Sequence, residues 1–466
     1  MRCALCSIDG RCVAAACEDL ADAEVASLPA GRHEQRPEAW WRALANCLCS
    51  ITGQVDPADV AALSLDSTSG TVLFLDAAGG VLRPAIMYND ARAVQQAIRA
   101  NAAAADFIRR HGFRFGSSFS LAKIMWVMEN EPEVFAKTAI ACHAADYLAG
   151  RLRGDFSLTD TSNALKTGCD LFDCRWPDFI TATLGIPAAK LPRLTIPGQP
   201  TGSVCKTAAR ETGLHENTVV VAGCTDGTAG FLASGAAAEG QWASTLGTTL
   251  VMRGISREVV KDDAGRMYCH RHPDGWWLPG SACSVGGECL AFHFPGRDLA
   301  ELDRLAAARG RTDLVCYPLV RRGERFPFVN AEAEGFCSRP PADDVALHIA
   351  CLEGVAFVER WSLELFGELG ADVSGSIYAT GGGARSPLWL AIRASVLRRE
   401  LLVPERPGCE FGAAALAAAP HCGGVSEACR RMVRIAKTVH PDPAAGQYYD
   451  AQYARFRGLC AERGYV

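Results

Sequence analysis

Three β-branched residues in a row, Val219, Val220 and Val221, run through Ala222, Gly223, Cys224 and Thr225 to Asp226, and small residues then continue to Gly230. Such a run reads as a buried strand that stops at a polar loop before a helix. Asp226 therefore stands at the carboxyl end of a strand. In an open α/β sheet ligands bind there, and a carboxylate among small residues leaves room for a substrate to come close. Capping the following helix is the plainer role for an Asp at this point.

Two later stretches give that carboxylate a context. Residues 242–250 (WASTLGTTL) supply strand, hydroxyl-rich turn and strand, the chemistry of a loop that receives phosphate oxygens, with Gly247 and Thr248 at its tip. Residues 377–387 (IYATGGGARSP) form a strand leading to Gly381, Gly382 and Gly383, then a helix with Ser386 at its N-cap and Pro387 at its first position. Backbone without side chains at a helix start can lie against a nucleotide.

In this order and at these separations, the three stretches resemble the FGGY family of carbohydrate kinases, over nearly the whole chain. Residues 66–71 (DSTSGT), 160–166 (DTSNALK) and 322–327 (RGERFP) point to its ribulose and xylulose kinase-like branch, and residues 118–130 match the family's first signature. The resemblance implies an α/β protein of two actin-like (ribonuclease H-like) domains with a nucleotide and sugar cleft between them. The expected division is residues 1–235, completed by 408–466, for the sugar domain and 236–407 for the nucleotide domain, with a hinge in the small-residue run 233–240. It also implies ATP as phosphate donor, Mg2+ alongside it, and phosphorylation of the terminal hydroxyl of D-xylulose or D-ribulose. Asp226 becomes the catalytic base.

The same resemblance assigns Ser69, Gly70, Asp90 and Arg92, with Asp226, to the sugar, and Gly247, Thr248, Gly286, Gly287, Gly381, Gly382, Gly383, Ser386 and Trp389 to the nucleotide. Each has a plainer reading. Ser69 fits ordinary turn chemistry. Asp90 and Arg92 fit a solvated helix start, Gly286 and Gly287 a glycine-rich one, and Trp389 a core residue. The family often has Asn where Ser386 stands here. No metal ligand is directly assignable.

At the amino end, residues 3–7 and 12–16 read as strands joined by the tight-turn pair Asp9–Gly10. In the family another strand and a Gly, Asp and Thr turn precede this hairpin, and the sequence has no counterpart for them. The expectation is that the natural chain is longer and Met1 a misplaced start.

Charge excludes some partners. Lys plus Arg number 47 against 52 Asp plus Glu, a net charge of −5, with no basic stripe for nucleic acid or a membrane surface. The 21 cysteines are scattered among Ala and Val and read as small core residues in a reducing cytoplasm. Cys3 and Cys6 have a metal-knuckle spacing with no second pair to complete it. No targeting or membrane-spanning run is visible, so a cytoplasmic location and a small-molecule sugar partner are expected, with a homodimer left open. Two further readings stay open: a kinase for another sugar or polyol such as glycerol, and a nucleotide-binding actin-fold protein that has lost phosphotransfer.

Overall fold

The structure, a computed structural model, describes residues 1–465. It divides into two compact units. The first comprises residues 1–233, 273–275 and 408–432; the second comprises 234–272, 276–407 and 433–466. The boundary at Ala233 falls at the start of the small-residue run. The tail is divided: residues 408–432 return to the first unit, whereas everything from Val433 onward goes with the second.

In the first unit the strand Val219–Thr225 forms where its valines predict, and pairs in parallel with Ala62–Ser67 and antiparallel with Pro200–Ser203. The amino-terminal hairpin pairs Arg2–Cys6 with Cys12–Cys17, register Arg2 to Cys17. Its turn depends on Gly10, which has φ +83° and lies so near Met432 that a Cβ would sit 1.9 Å from that carbonyl oxygen. The Arg2–Cys6 and Ala62–Ser67 strands each pair on one side only. Between them lies a slot of about 420 Å³, lined by both strands, by Leu44, Leu48 and Ile51 of the helix Pro37–Thr52, and by Ala413, Ala414 and Ala417 of the helix Cys409–Cys422. That last helix packs on both strands. It also crosses the helix Asp226–Leu232 closely enough that a Cβ on Gly412 would be 1.9 Å from the Ala229 carbonyl oxygen.

The second unit is built on one seven-stranded sheet. From edge to edge it runs Tyr268–Arg271, Trp277–Ala282, Leu250–Gly254, Trp242–Leu246, Ile377–Thr380, Leu401–Pro404 and Ile435–Val439. The helix Asp344–Glu368 is apolar on nearly all sides and buried along most of its length, as a central core helix should be. A buried ion pair ties it to the sheet. Arg393 and Glu359 are fully enclosed and bonded twice, at 2.7 and 2.8 Å, and Ser244 on the strand Trp242–Leu246 bonds to both. Low dielectric strengthens such a network and makes breaking it costly.

Among the described residues, no helix is long and apolar enough to cross a membrane.

Candidate active site

Asp226 opens its helix directly after the Val219–Thr225 strand, half-buried, with its own Oδ1 accepting the Gly227 N–H at 2.7 Å. Thr225 is the N-cap residue and makes no side-chain cap. The turn is instead held by hydroxyls: Ser162, Thr225 and Thr228 bond one another at 3.0 to 3.1 Å, and Ser162 Oγ accepts the Thr225 N–H. Ser162 comes from the 160–166 run, whose Asp160 caps the short helix Thr161–Ala164 by accepting the Asn163 N–H. That loop is thereby fixed against the Asp226 turn. Burial, together with the charges of Asp226 and Glu410, pushes the Asp66 carboxyl up to about 6. Burial, above all, raises Asp160 to about 7, and the Asp146 charge adds to it.

Lys123 organises the loops around Ser69. Its ammonium is fully enclosed and donates to the carbonyls of Gly70 at 2.9 Å, Met87 at 2.6 Å and Ser118 at 3.1 Å. Burial lowers it to about 7, opposed by the charge of Asp90. Lys166 donates to the Ser69 carbonyl at 3.0 Å, and burial lowers its pKa too. Gly70 has φ +95°, and a Cβ there would lie 2.6 Å from the Ser118 carbonyl oxygen, so packing alone requires glycine. Ser69 Oγ is enclosed without a hydrogen-bond partner.

Asp90 and Arg92 are neither a solvated helix start nor an open pair. Asp90 is 1 % exposed, and its oxygens accept the backbone N–H groups of His33 and Arg92 and two guanidinium N–H groups of Arg92. Arg92 also pairs with Glu34 at 2.7 Å and lies over Trp126. The acceptor capacity of Asp90 is spent inside the protein. These bonds hold its carboxyl below the ordinary range, against the opposing effect of burial.

The second unit gathers the hydroxyl turn and the glycines on one cavity of about 740 Å³, lined by Gly247, Thr248, Gly287, Gly382, Gly383, Ser386 and Trp389 among others. The turn is tied to the start of the helix Glu288–His293, where the N–H groups of Gly287 and Glu288 donate to the carbonyls of Gly247 and Thr248. The glycines divide by role. A Cβ on Gly381 or Gly383 would lie 2.5 Å from atoms of Leu246, and one on Gly286 2.4 Å from Thr249 Cα, so these three are small because protein packs on them. Gly247 and Gly382 would meet nothing closer than 4.0 Å, and Gly382 is exposed. These two leave backbone free for a ligand.

Ser386 caps the helix Pro387–Leu397 by accepting the Trp389 N–H at 3.0 Å, as the Ser-Pro pair predicts. Its hydroxyl donates to Asp303 at 2.6 Å, and the other oxygen of Asp303 meets His348 Nε2 at 2.7 Å. Asp303 also lines the cavity. The sequence offers no signal for it, because on the helix Leu299–Arg309 it reads as one more surface charge. Trp389 combines both of its readings: it is 3 % exposed and donates its indole N–H to the Leu352 carbonyl at 3.0 Å, yet it contributes to the cavity wall. Among the described residues, no group of three or more His, Cys, Asp or Glu side chains is gathered to hold a metal ion.

Phosphoryl transfer asks a protein for positioning and charge stabilisation more than for covalent chemistry. The first α/β unit carries a strand-end carboxylate and the second a glycine- and hydroxyl-lined cavity, and the fold is that of a two-domain actin-like phosphotransferase. Comparison with known proteins narrows the class. The family model for the N-terminal domain of the FGGY family of carbohydrate kinases matches residues 1–233, and that for the C-terminal domain matches 242–420. The chain is 28 % identical over 448 residues to a xylulose kinase of Bacillus subtilis, covering 92 % of this chain and 89 % of that one. It is 26 % identical over 394 residues to a gluconokinase of the same organism, covering 80 % and 76 %. The crystal structure of xylulose kinase from Rhodospirillum rubrum superposes with a TM-score of 0.85 at 27 % identity, covering 98 % of this chain and 96 % of that one. The chain belongs to the FGGY family of carbohydrate kinases, enzymes that use ATP as phosphate donor.

Proposed function

We propose that this kinase transfers the γ-phosphoryl group of ATP to the terminal hydroxyl of a free ketopentose, D-xylulose or D-ribulose, with Asp226 as the base. The observation that carries the reading is the placement of Asp226, half-buried at the end of a parallel strand, on a turn braced by the Ser162, Thr225 and Thr228 hydroxyls, which bond one another. A carboxylate in that position can take the hydroxyl's proton as the oxygen attacks phosphorus. In this reading Gly247 and Thr248 receive phosphate oxygens, Gly382 and Gly287 lie along the nucleotide, and Trp389 and Ser386 form the wall beyond. Gly286, Gly381 and Gly383 act through packing. Ser69, with its unpartnered hydroxyl, and Gly70 line the sugar side, and Asp90 with Arg92 braces it. Mg2+ needs only one or two carboxylates beside the phosphates; Asp66, next to Asp226 in the electrostatics of the first unit, fits that role, and the ion would neutralise phosphate charge.

Xylulose kinases among the relatives support a pentulose, and the gluconokinase supports a second reading in which a six-carbon sugar acid is the acceptor. ADP release measured against D-xylulose, D-ribulose, gluconate and glycerol separates these. The expected result is the highest kcat/KM with a pentulose, and a fall on the order of 10³ in kcat for Asp226→Ala with ATP binding unchanged. An Asp226→Ala enzyme that keeps its turnover removes the base assignment, and a preference for gluconate or glycerol removes the pentulose.

A further inference from the structure

The second unit contains a chain of sulfur atoms that phosphotransfer does not use. Cys316 and Cys337 stand directly opposite each other on the two-stranded antiparallel ribbon of Cys316–Tyr317 and Phe336–Cys337. Their Sγ atoms are 2.8 Å apart, and both thiols are free. Cys351 on the Asp344–Glu368 helix interacts with Cys316 and with Cys289 on the Glu288–His293 helix. Cys316, Cys351 and Cys289 are buried, and Cys337 is half-buried, so the chain opens to solvent at Cys337.

Directly opposed residues of an antiparallel pair have Cα atoms about 4.5–5.5 Å apart, within the roughly 4.4–6.8 Å span of disulfides. Closing the remaining gap between the sulfurs to about 2.05 Å asks for side-chain rotation and no backbone shift. The ribbon also packs closely on the helix beneath it, where a Cβ on Gly354 would lie 2.3 Å from the Cys316 carbonyl oxygen. The contact with Cys337 holds the Cys316 thiol below its ordinary range, with the His293 charge acting in the same sense, and raises Cys337. Loss of a proton from the pair gives the thiolate that is the nucleophile for thiol–disulfide exchange.

We propose that Cys316 and Cys337 are an oxidant-sensitive modification site that closes reversibly to a cross-strand disulfide by exchange with a low-molecular-weight disulfide. Cys337 Sγ, the sulfur that solvent reaches, gives up its proton to solvent and attacks one sulfur of the small disulfide, forming a mixed disulfide and expelling one small thiolate. The thiolate of Cys316 then attacks Cys337 Sγ, forming the protein disulfide and expelling the second. Two protein thiols are oxidised, the small disulfide is reduced to two thiols, and the two protein protons pass to the leaving thiolates.

The test treats the folded full chain with oxidised glutathione, quenches with acid and maps every cysteine by peptide mass spectrometry. The expected result is a linked peptide joining Cys316 and Cys337, 2 Da lighter than its reduced parts, formed ahead of links at the exposed Cys17, Cys49 and Cys174, and lost on adding dithiothreitol. The ring that is closed should also raise the Tm by a few degrees. Cys337→Ser should abolish the linked peptide, and Cys316→Ser should stop the reaction at a glutathione adduct on Cys337. A wild-type chain that stops at that adduct overturns the proposal. So do links distributed evenly over the exposed cysteines, or a disulfide that lowers the Tm.

Discussion

The two units complete their sheets in different ways. The second lays seven strands side by side, so that each of the five inner strands is hydrogen bonded on both sides. The first divides its strands among five small sheets, and two of them, the hairpin pair and the three-stranded sheet, leave the apolar slot between two half-paired edges. Helices span that slot: Cys409–Cys422 contributes alanines from one side, and Pro37–Thr52 contributes Leu44, Leu48 and Ile51. Side-chain burial therefore keeps the two pieces together where the backbone ladder does not. The difference teaches that covering helices can set the position of a strand without its neighbour's hydrogen bonds, while its exposed N–H and C=O groups remain a cost.

The largest expected effect tests the continuous sheet. Arg393→Leu would leave Glu359 buried without its partner and should destabilise the second unit by about 3–5 kcal/mol, read as a lower unfolding midpoint of that unit in thermal or denaturant scans. Adding Glu359→Leu should recover much of the loss. If the single variant unfolds no earlier than the wild type, the buried pair is not what secures the second sheet.

Next comes Asp66, which lines the slot. Its carboxyl is raised from 3.8 to about 6 in the folded chain, chiefly by burial. Between roughly pH 4 and 6 the folded state keeps a proton that the unfolded chain has released, so stability falls as pH rises through that window, and the penalty is complete above it. Asp66→Asn should therefore add about 2–3 kcal/mol at pH 8 and almost nothing near pH 3. A gain that does not vary with pH would contradict the assignment.

The smallest effect compares packing directly. Ala417 faces the slot at 8 % exposure, and Ala379 lies in the second sheet at 0 %. Ala417→Leu should gain about 1 kcal/mol by filling space, whereas Ala379→Leu should lose about 1–3 kcal/mol by overpacking. Equal losses from both would mean that the slot is as tightly filled as the second core.

Much of the local structure was legible in the chain. The strand Val219–Thr225, the Asp9–Gly10 hairpin turn and the Ser386 cap with Pro387 form where the residues predict, because each depends on neighbours within a few positions. The glycine and hydroxyl loops that line the cavity of the second unit were legible for the same reason. Asp90 was not: its burial depends on His33 and on Glu34 through Arg92, more than fifty positions upstream. Nor was Asp303, because a surface-helix carboxylate becomes part of a wall only when Ser386 and His348 arrive. The tail from Val433 packs with the second unit and not, as the family resemblance implies, with the first. Its strand pairs with Leu401–Pro404 and its last helix packs on Asp344–Glu368 and Pro387–Leu397, a choice that its mixed polar and aromatic pattern does not encode.

The sequence by itself determined the kinase family, the two-unit plan and the positions of Asp226 and of the hydroxyl and glycine turns, since strand pattern, turn chemistry and caps act over a few residues. Only the tertiary structure decided which of those residues are free to meet a ligand. It commits Asp90 to Arg92, fills the space behind Gly381 and Gly383, and sets Cys316 against Cys337. The physical reason is that hydrogen-bond capacity and close packing are exhausted by partners far away in the chain.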